Sequence, residues 1–184
     1  MTNIPAIYQG KLNTLDQIKV SPLSRAYTFS DSIYEVIPYF LGKPLCYKEH
    51  FDRMIQSSHL MGLDVDFDSA TKDIKELAAT LNNQDGYVYY QISRGVDMVR
   101  SHIYQDDLEI ERFGYAMPAS FPSSAISAML CDDDRWGRCN IKSTSLLGNV
   151  LARNKAKSLG CQEAVMHQDG CMTEAGASNV FYFD

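Results

Sequence analysis

Apolar and polar positions alternate with a period of two at the start of the chain. In "IPAIYQGKLN" and "IYEVIPYFLGKPLCY" this alternation flanks a Gly-Lys pair, the pattern of strand, turn, strand, so the chain is expected to open with hairpins. The period then lengthens. In "YKEHFDRMIQSSHLMG", Phe51, Met54, Ile55 and Ser58 share one helical face and Gly62 stands as the stop. A second helix is expected from Ser69 as N-cap, with Ile74, Leu77, Ala78 and Leu81 on its apolar face. "GYVYYQISRG" and "RFGYAM" return to the aromatic and β-branched composition of strands.

The uncharged, Pro/Ser-rich stretch "PASFPSSA" at 118–125 reads as a linker. Beyond it, "AISAMLC" reads as a strand and Ser143 to Leu159 as a helix closed by Gly160. "EAVMH" is a strand before an Asp169-Gly170 turn, and "NVFYFD" a last strand. The expected organisation is α+β in two units: a small first domain at 1–117, a linker at 118–125, and the start of a second domain at 126–184. A final strand with nothing following to cover it fits an unfinished domain, and equally a small complete sheet.

Composition narrows the class. A formal net charge of −6 with no basic patch argues against nucleic acid as a partner. No apolar run approaches membrane-spanning length, and "MTNIPAIYQGKL" lacks the regions of a signal peptide. The five cysteines are scattered without a C-x-x-C pair, which favours reduced thiols in a cytoplasmic protein over disulfides or a zinc site. The four histidines are equally dispersed, so no metal centre is expected.

One residue stands apart from this bland picture. In "RWGRCNIKSTSLLGNVLARNKA", Lys142 sits between a strand-like stretch and a helix. A lysine there is either a solvated charge with its stem on apolar surface or a desolvated amine suited to Schiff-base chemistry. Downstream, Glu174 precedes an Ala-Gly-Ala-Ser run that permits close backbone approach to a flat ligand, or makes a plain turn. A strand–helix–strand excursion returns the backbone near its starting edge, so Lys142 and Glu174 are expected to share a cleft. Amine and carboxylate suit pyridoxal 5'-phosphate, which needs a lysine for its aldehyde, an acid for its ring nitrogen, and a cation or backbone amides for its phosphate.

The run from Arg135 to Phe183 resembles the catalytic segment of the fold-type IV pyridoxal-phosphate enzymes, which include D-amino-acid aminotransferases, branched-chain aminotransferases and aminodeoxychorismate lyases. "RAYTFSDSIYEV" resembles the family's R-x-x-x-F-G-D-G-x-Y-E stretch, and "YKEHFDRM" its H-x-x-R helix. The resemblance implies Lys142 as the Schiff-base lysine and proton-shuttling base, Glu174 as partner of the pyridine nitrogen, and Arg53 as a phosphate ligand. It implies Ala177 and Ser178 in the turn that approaches the cofactor. Tyr34, Arg100 and His102 become the trap for the substrate carboxylate, with the R-x-H pair contributed across a homodimer interface. This chain departs from the family in having Ser30-Asp31-Ser32 for Gly-Asp-Gly, and Ala177 where a hydroxyl is common.

The family's phosphate-binding turn lies further downstream than Asp184, so the chain is expected to be an amino-terminal portion. The implied activity is transamination of an amino acid, D-enantiomers favoured, with a 2-oxo acid. Two rivals stand beside it: a lyase releasing 4-aminobenzoate and pyruvate, and a catalytically incomplete fragment that forms dimers.

Overall fold

The computed structural model describes residues 3–121 and 123–182. They divide into two compact units. One comprises the chain up to Phe121 together with Asn140–Thr144; the other comprises the remainder up to Cys139 and from Ser145 onward.

The first unit opens with the hairpin β1 (Pro5–Tyr8) and β2 (Lys11–Thr14), then a short helix α1 (Arg25–Phe29). The long strand β3 (Ser32–Phe40) turns into the short β4 (Lys43–Pro44). Both expected turns fall one residue earlier than Gly-Lys, at Gln9-Gly10 and Leu41-Gly42, where all four residues have positive φ. Two helices follow, α2 (Tyr47–Met61) and α3 (Phe67–Ala79), and then strands β5 (Gly86–Ser93) and β6 (Glu111–Pro118). The six strands form one antiparallel sheet in the order β2-β1-β6-β5-β3-β4.

The period of two divides this sheet into two unlike faces. Ile33, Ile37, Val88, Tyr90, Ile92 and Ala116 are buried with Met54, Ile74 and Leu77 of the helices, and make the core. Gly62 ends α2 as expected, in the left-handed conformation. The start of α3 is corrected: Asp66, not Ser69, is the N-cap. Its carboxylate accepts the amides of Asp68 and Ser69, and the Ser69 hydroxyl donates to it as well (2.6 Å). A charged acceptor at the cap position outcompetes a hydroxyl three residues inside the helix.

The second unit holds β7 (Ala128–Asp132), α4 (Leu147–Ser158), β8 (Glu163–Gln168) and β9 (Cys171–Ala175). β7 and β8 are parallel and β9 is antiparallel to β8. Two expectations change here. α4 begins at Leu147 rather than Ser143, because residues 142–144 are already paired with β3. The Tyr34 amide donates to the Lys142 carbonyl (2.9 Å), and the Thr144 amide to the Ser32 carbonyl (3.1 Å). The last strand is Cys171–Ala175, which follows the Asp169-Gly170 turn. Residues 179–182 join no ladder, and Phe183 and Asp184 lie outside the described residues. Among the described residues no helix is long and apolar enough to cross a membrane.

Candidate active site

The sheet face away from α2 and α3 carries aromatic rings. Tyr34 stacks on Tyr89 (5.6 Å between centroids), and Tyr89 stacks on Tyr115 (5.1 Å). Lys142 extends the free edge of β3 beside this wall. Its amide donates to Ser57 Oγ (3.0 Å), its carbonyl accepts from Tyr34, and its Nζ lies 4.7 Å from the centre of the Tyr34 ring. Backbone pairing thus fixes where the stem starts, and the ring's negative face holds the ammonium. The half-buried Lys142 and Tyr34 meet in one place. The two Ser-for-Gly positions are accommodated. Ser30 takes the left-handed conformation (φ 54°), and the Ser32 hydroxyl shares a 2.6 Å hydrogen bond with that of Thr144.

Arg53 is held from β3. Its Nε and Nη2 donate to the two oxygens of Glu35, both at 2.7 Å, and His50 Nδ1 lies 2.7 Å from one of them. Burial raises the Glu35 pKa, but hydrogen bonds from Arg53 and His50 outweigh it, and the carboxyl is held below its ordinary value. The Glu35 side chain is 1% exposed and that of Arg53 41% exposed, so a buried anchor orients a guanidinium that reaches solvent.

Arg100 and His102 are exposed, on a loop without ladder pairing. They converge on Phe29: the Arg100 guanidinium lies 4.8 Å from the ring centre, and the His102 ring meets it edge-on at 5.2 Å.

In the second unit, Glu174 on β9 is ion-paired with Arg135, which also forms a two-pronged contact with Asp133 (2.9 and 2.8 Å). Those bonds, reinforced by the Thr173 hydroxyl, drive the Asp133 carboxyl far below its usual range against its partial burial. The Ser178 hydroxyl donates to Glu163 Oε2 (2.5 Å), which Arg153 also holds (2.5 Å), and Ala177 is exposed in the bend after β9.

The structure therefore brings Lys142 to Tyr34 and Arg100 to His102. Several supporting residues were missed by sequence reasoning: Glu35 behind Arg53, Ser57 behind Lys142, Arg135 behind Glu174, and Arg25 and Phe29 behind the loop. Glu35, Arg25 and Phe29 lie inside the R-x-x-x-F-S-D-S-x-Y-E stretch, and Arg135 opens the Lys142 segment, so the signal was there without its direction.

Comparison with known proteins gives concordant findings. The family described as amino-transferase class IV matches residues 32–184. A D-alanine aminotransferase of Listeria innocua is 38% identical over 164 residues, covering 85% of this chain and 57% of that protein. The fold is similar to that of a branched-chain aminotransferase from Thermoproteus uzoniensis (TM-score 0.79, 20% identity, 94% of this chain and 63% of that one). It is similar too to a PLP-bound hypothetical aminotransferase from Mycobacterium tuberculosis (TM-score 0.77, 15% identity, 94% of this chain and 65% of that one). The chain thus spans roughly three fifths of the length of these relatives.

Proposed function

Because this chain belongs to the class IV aminotransferase family, we propose that it serves transamination between an amino acid, D-alanine or a close D-analogue, and a 2-oxo acid. The reading rests first on Lys142, whose backbone is fixed by the Ser57 hydroxyl at its amide and the Tyr34 amide at its carbonyl, and whose amine lies at the Tyr34 ring.

The donor set fits pyridoxal 5'-phosphate. Lys142 offers an amine for the aldehyde, Arg53 a guanidinium oriented by Glu35 for the phosphate, and Glu174 a carboxylate for the ring nitrogen. Ala177 and Ser178, in the bend after β9, would lie against the bound cofactor. When bound, the cofactor withdraws electrons from the substrate Cα and makes its proton removable. Lys142 Nζ would take that proton from Cα as general base, becoming an ammonium, and as the ammonium would be the acid for the reprotonation that completes the exchange. Arg100 and His102, with Tyr34, hold the substrate carboxylate, Arg100 by two parallel N–H···O bonds and His102 by one more. Fixing the carboxylate on one side presents the α-hydrogen of a D-substrate to Lys142 and turns that of an L-substrate away. The pair acts across a homodimer, and the protein works in the cytoplasm.

Borohydride reduction of the cofactor-loaded protein from the complete gene, followed by peptide mapping, is expected to place the fixed cofactor on Lys142; a label on another lysine overturns the assignment. Steady-state kinetics with both alanine enantiomers tests the stereochemistry. Equal turnover of the two, or release of pyruvate from aminodeoxychorismate without transamination, removes the D-amino-acid reading.

A further inference from the structure

Arg25 is 3% exposed and its guanidinium is used in several directions at once. Nε donates to Asp31 Oδ2 (2.8 Å), while Nη1 donates to Asp97 Oδ2 (3.4 Å) and to the carbonyl of Ser101 (2.8 Å). Ser101 is the residue between Arg100 and His102. Arg94 binds the same Asp31 oxygen (2.8 Å) and lies 3.8 Å from the centre of the Tyr104 ring, just beyond the pair. The charges of Arg25, Arg94, Asp31 and Asp97 cancel, so the cation the loop presents beside Phe29 is Arg100, while the exposed Asp106, Asp107 and Glu109 stand further along it. One helical turn after Arg25, Phe29 takes the Arg25 guanidinium at 4.5 Å as well as Arg100 and His102.

A loop with no ladder pairing would ordinarily sample many conformations, and ordering it would fall on the substrate's binding energy. Here a buried cation grips the backbone between the two exposed side chains, and one ring supports both. We propose that Arg25 and Phe29 are positioning residues, a mount that presents Arg100 and His102 as a single preorganised carboxylate-binding pair. The inference rests on the reading of that pair as substrate ligands. Losing the mount weakens carboxylate binding and leaves proton transfer at Lys142 alone.

The test uses Arg25→Lys and Phe29→Leu in the protein from the complete gene. KM for D-alanine is expected to rise about tenfold in each, with kcat little changed. The inhibition constant of propionate, which offers a carboxylate and no amine, should rise in parallel. Adding Phe29→Leu to Arg100→Leu should cost clearly less than Phe29→Leu alone, because the part of the mount's effect that acts through Arg100 is already gone and only the part through His102 remains. A fall in kcat with KM and propionate inhibition unchanged overturns the inference, as does full additivity in the double variant. If Arg100→Leu itself leaves KM unchanged, the reading of the pair fails; if it raises KM and the mount variants do not, only the inference fails. Should Arg25→Lys not fold, Phe29→Leu decides, since it leaves every ion pair in place.

Discussion

Glu35 shows how much a single buried carboxylate organises. It sits among apolar side chains on the core face of β3, and Arg53 and His50 reach it from α2. Its pKa is lowered in the folded state, so its stabilising contribution is complete above the unfolded carboxylate value of about 4.3 and is lost as pH falls through the lower folded value. Glu163, lowered by Ser178, the Ala164 amide and Arg153 against its burial, acts in the same direction. Denaturant midpoints are therefore expected to hold from neutral pH down to about 5 and to fall below about 4. Glu35→Gln should cost about 1–3 kcal/mol at neutral pH, because Arg53 and His50 lose a charged acceptor while Arg53 keeps access to water, and should flatten the acid limb. Urea titrations of both proteins between pH 3 and 7 would check both statements; an unchanged acid limb would contradict the linkage.

At the scale of elements, α3 and its contact with β6 offer two local tests. Asp66→Ala removes the carboxylate that accepts two amides at the helix start and is expected to lower the denaturation midpoint. Ser69→Ala should cost less, since it removes only a donor to that same carboxylate. The reverse order in chemical denaturation would restore Ser69 as the cap. Gly114 permits the helix to lie close to the sheet. A Cβ there would stand 2.8 Å from Leu77 Cδ1 and 2.8 Å from the Tyr89 carbonyl oxygen, and the backbone oxygen cannot swing aside. Gly114→Ala is expected to destabilise by about 1–3 kcal/mol through overpacking, although Ala is a better strand residue than Gly. Thermal denaturation would show a lowered Tm; a raised one would mean that α3 retreats freely.

Across the whole molecule, the five residues Asn140–Thr144 belong with the first unit, although they are separated from it in sequence by β7. Ile141 is 7% exposed and joins the core built by β3, β5 and the two helices. Ile141→Ala should therefore cost about 2–4 kcal/mol in the unfolding of the first unit, as a core truncation does. Hydrogen exchange should localise that loss to β3 and β5, with β8 unaffected; protection lost from β8 instead would assign Ile141 to the second unit. The same insertion explains why Lys142 is well placed: its neighbour is a core residue, and its backbone is a guest on a sheet edge.

Some of this was legible in the chain and some was not. Period-two alternation located β3, aromatic and β-branched composition located β5, and period 3.6 with Gly62 located α2, because each is a local property of one element. The turn at Asp169-Gly170 was equally local, resting on backbone freedom at two residues. The seam position drew attention to Lys142 and the family resemblance to Tyr34 and Arg53, and the structure brings Lys142 to the Tyr34 ring. Tertiary structure decided what no local pattern encodes. Ser143 and Thr144 were read as the opening of the helix that follows, yet β3 had an open edge and residues 142–144 bond to it instead. The buried anchors, Glu35 for Arg53, Arg25 for the Ser101 carbonyl and Arg135 for Glu174, join side chains distant in sequence. Which acid meets which base there depends on how the strands and helices come together, and a linear pattern of polarity carries no record of it.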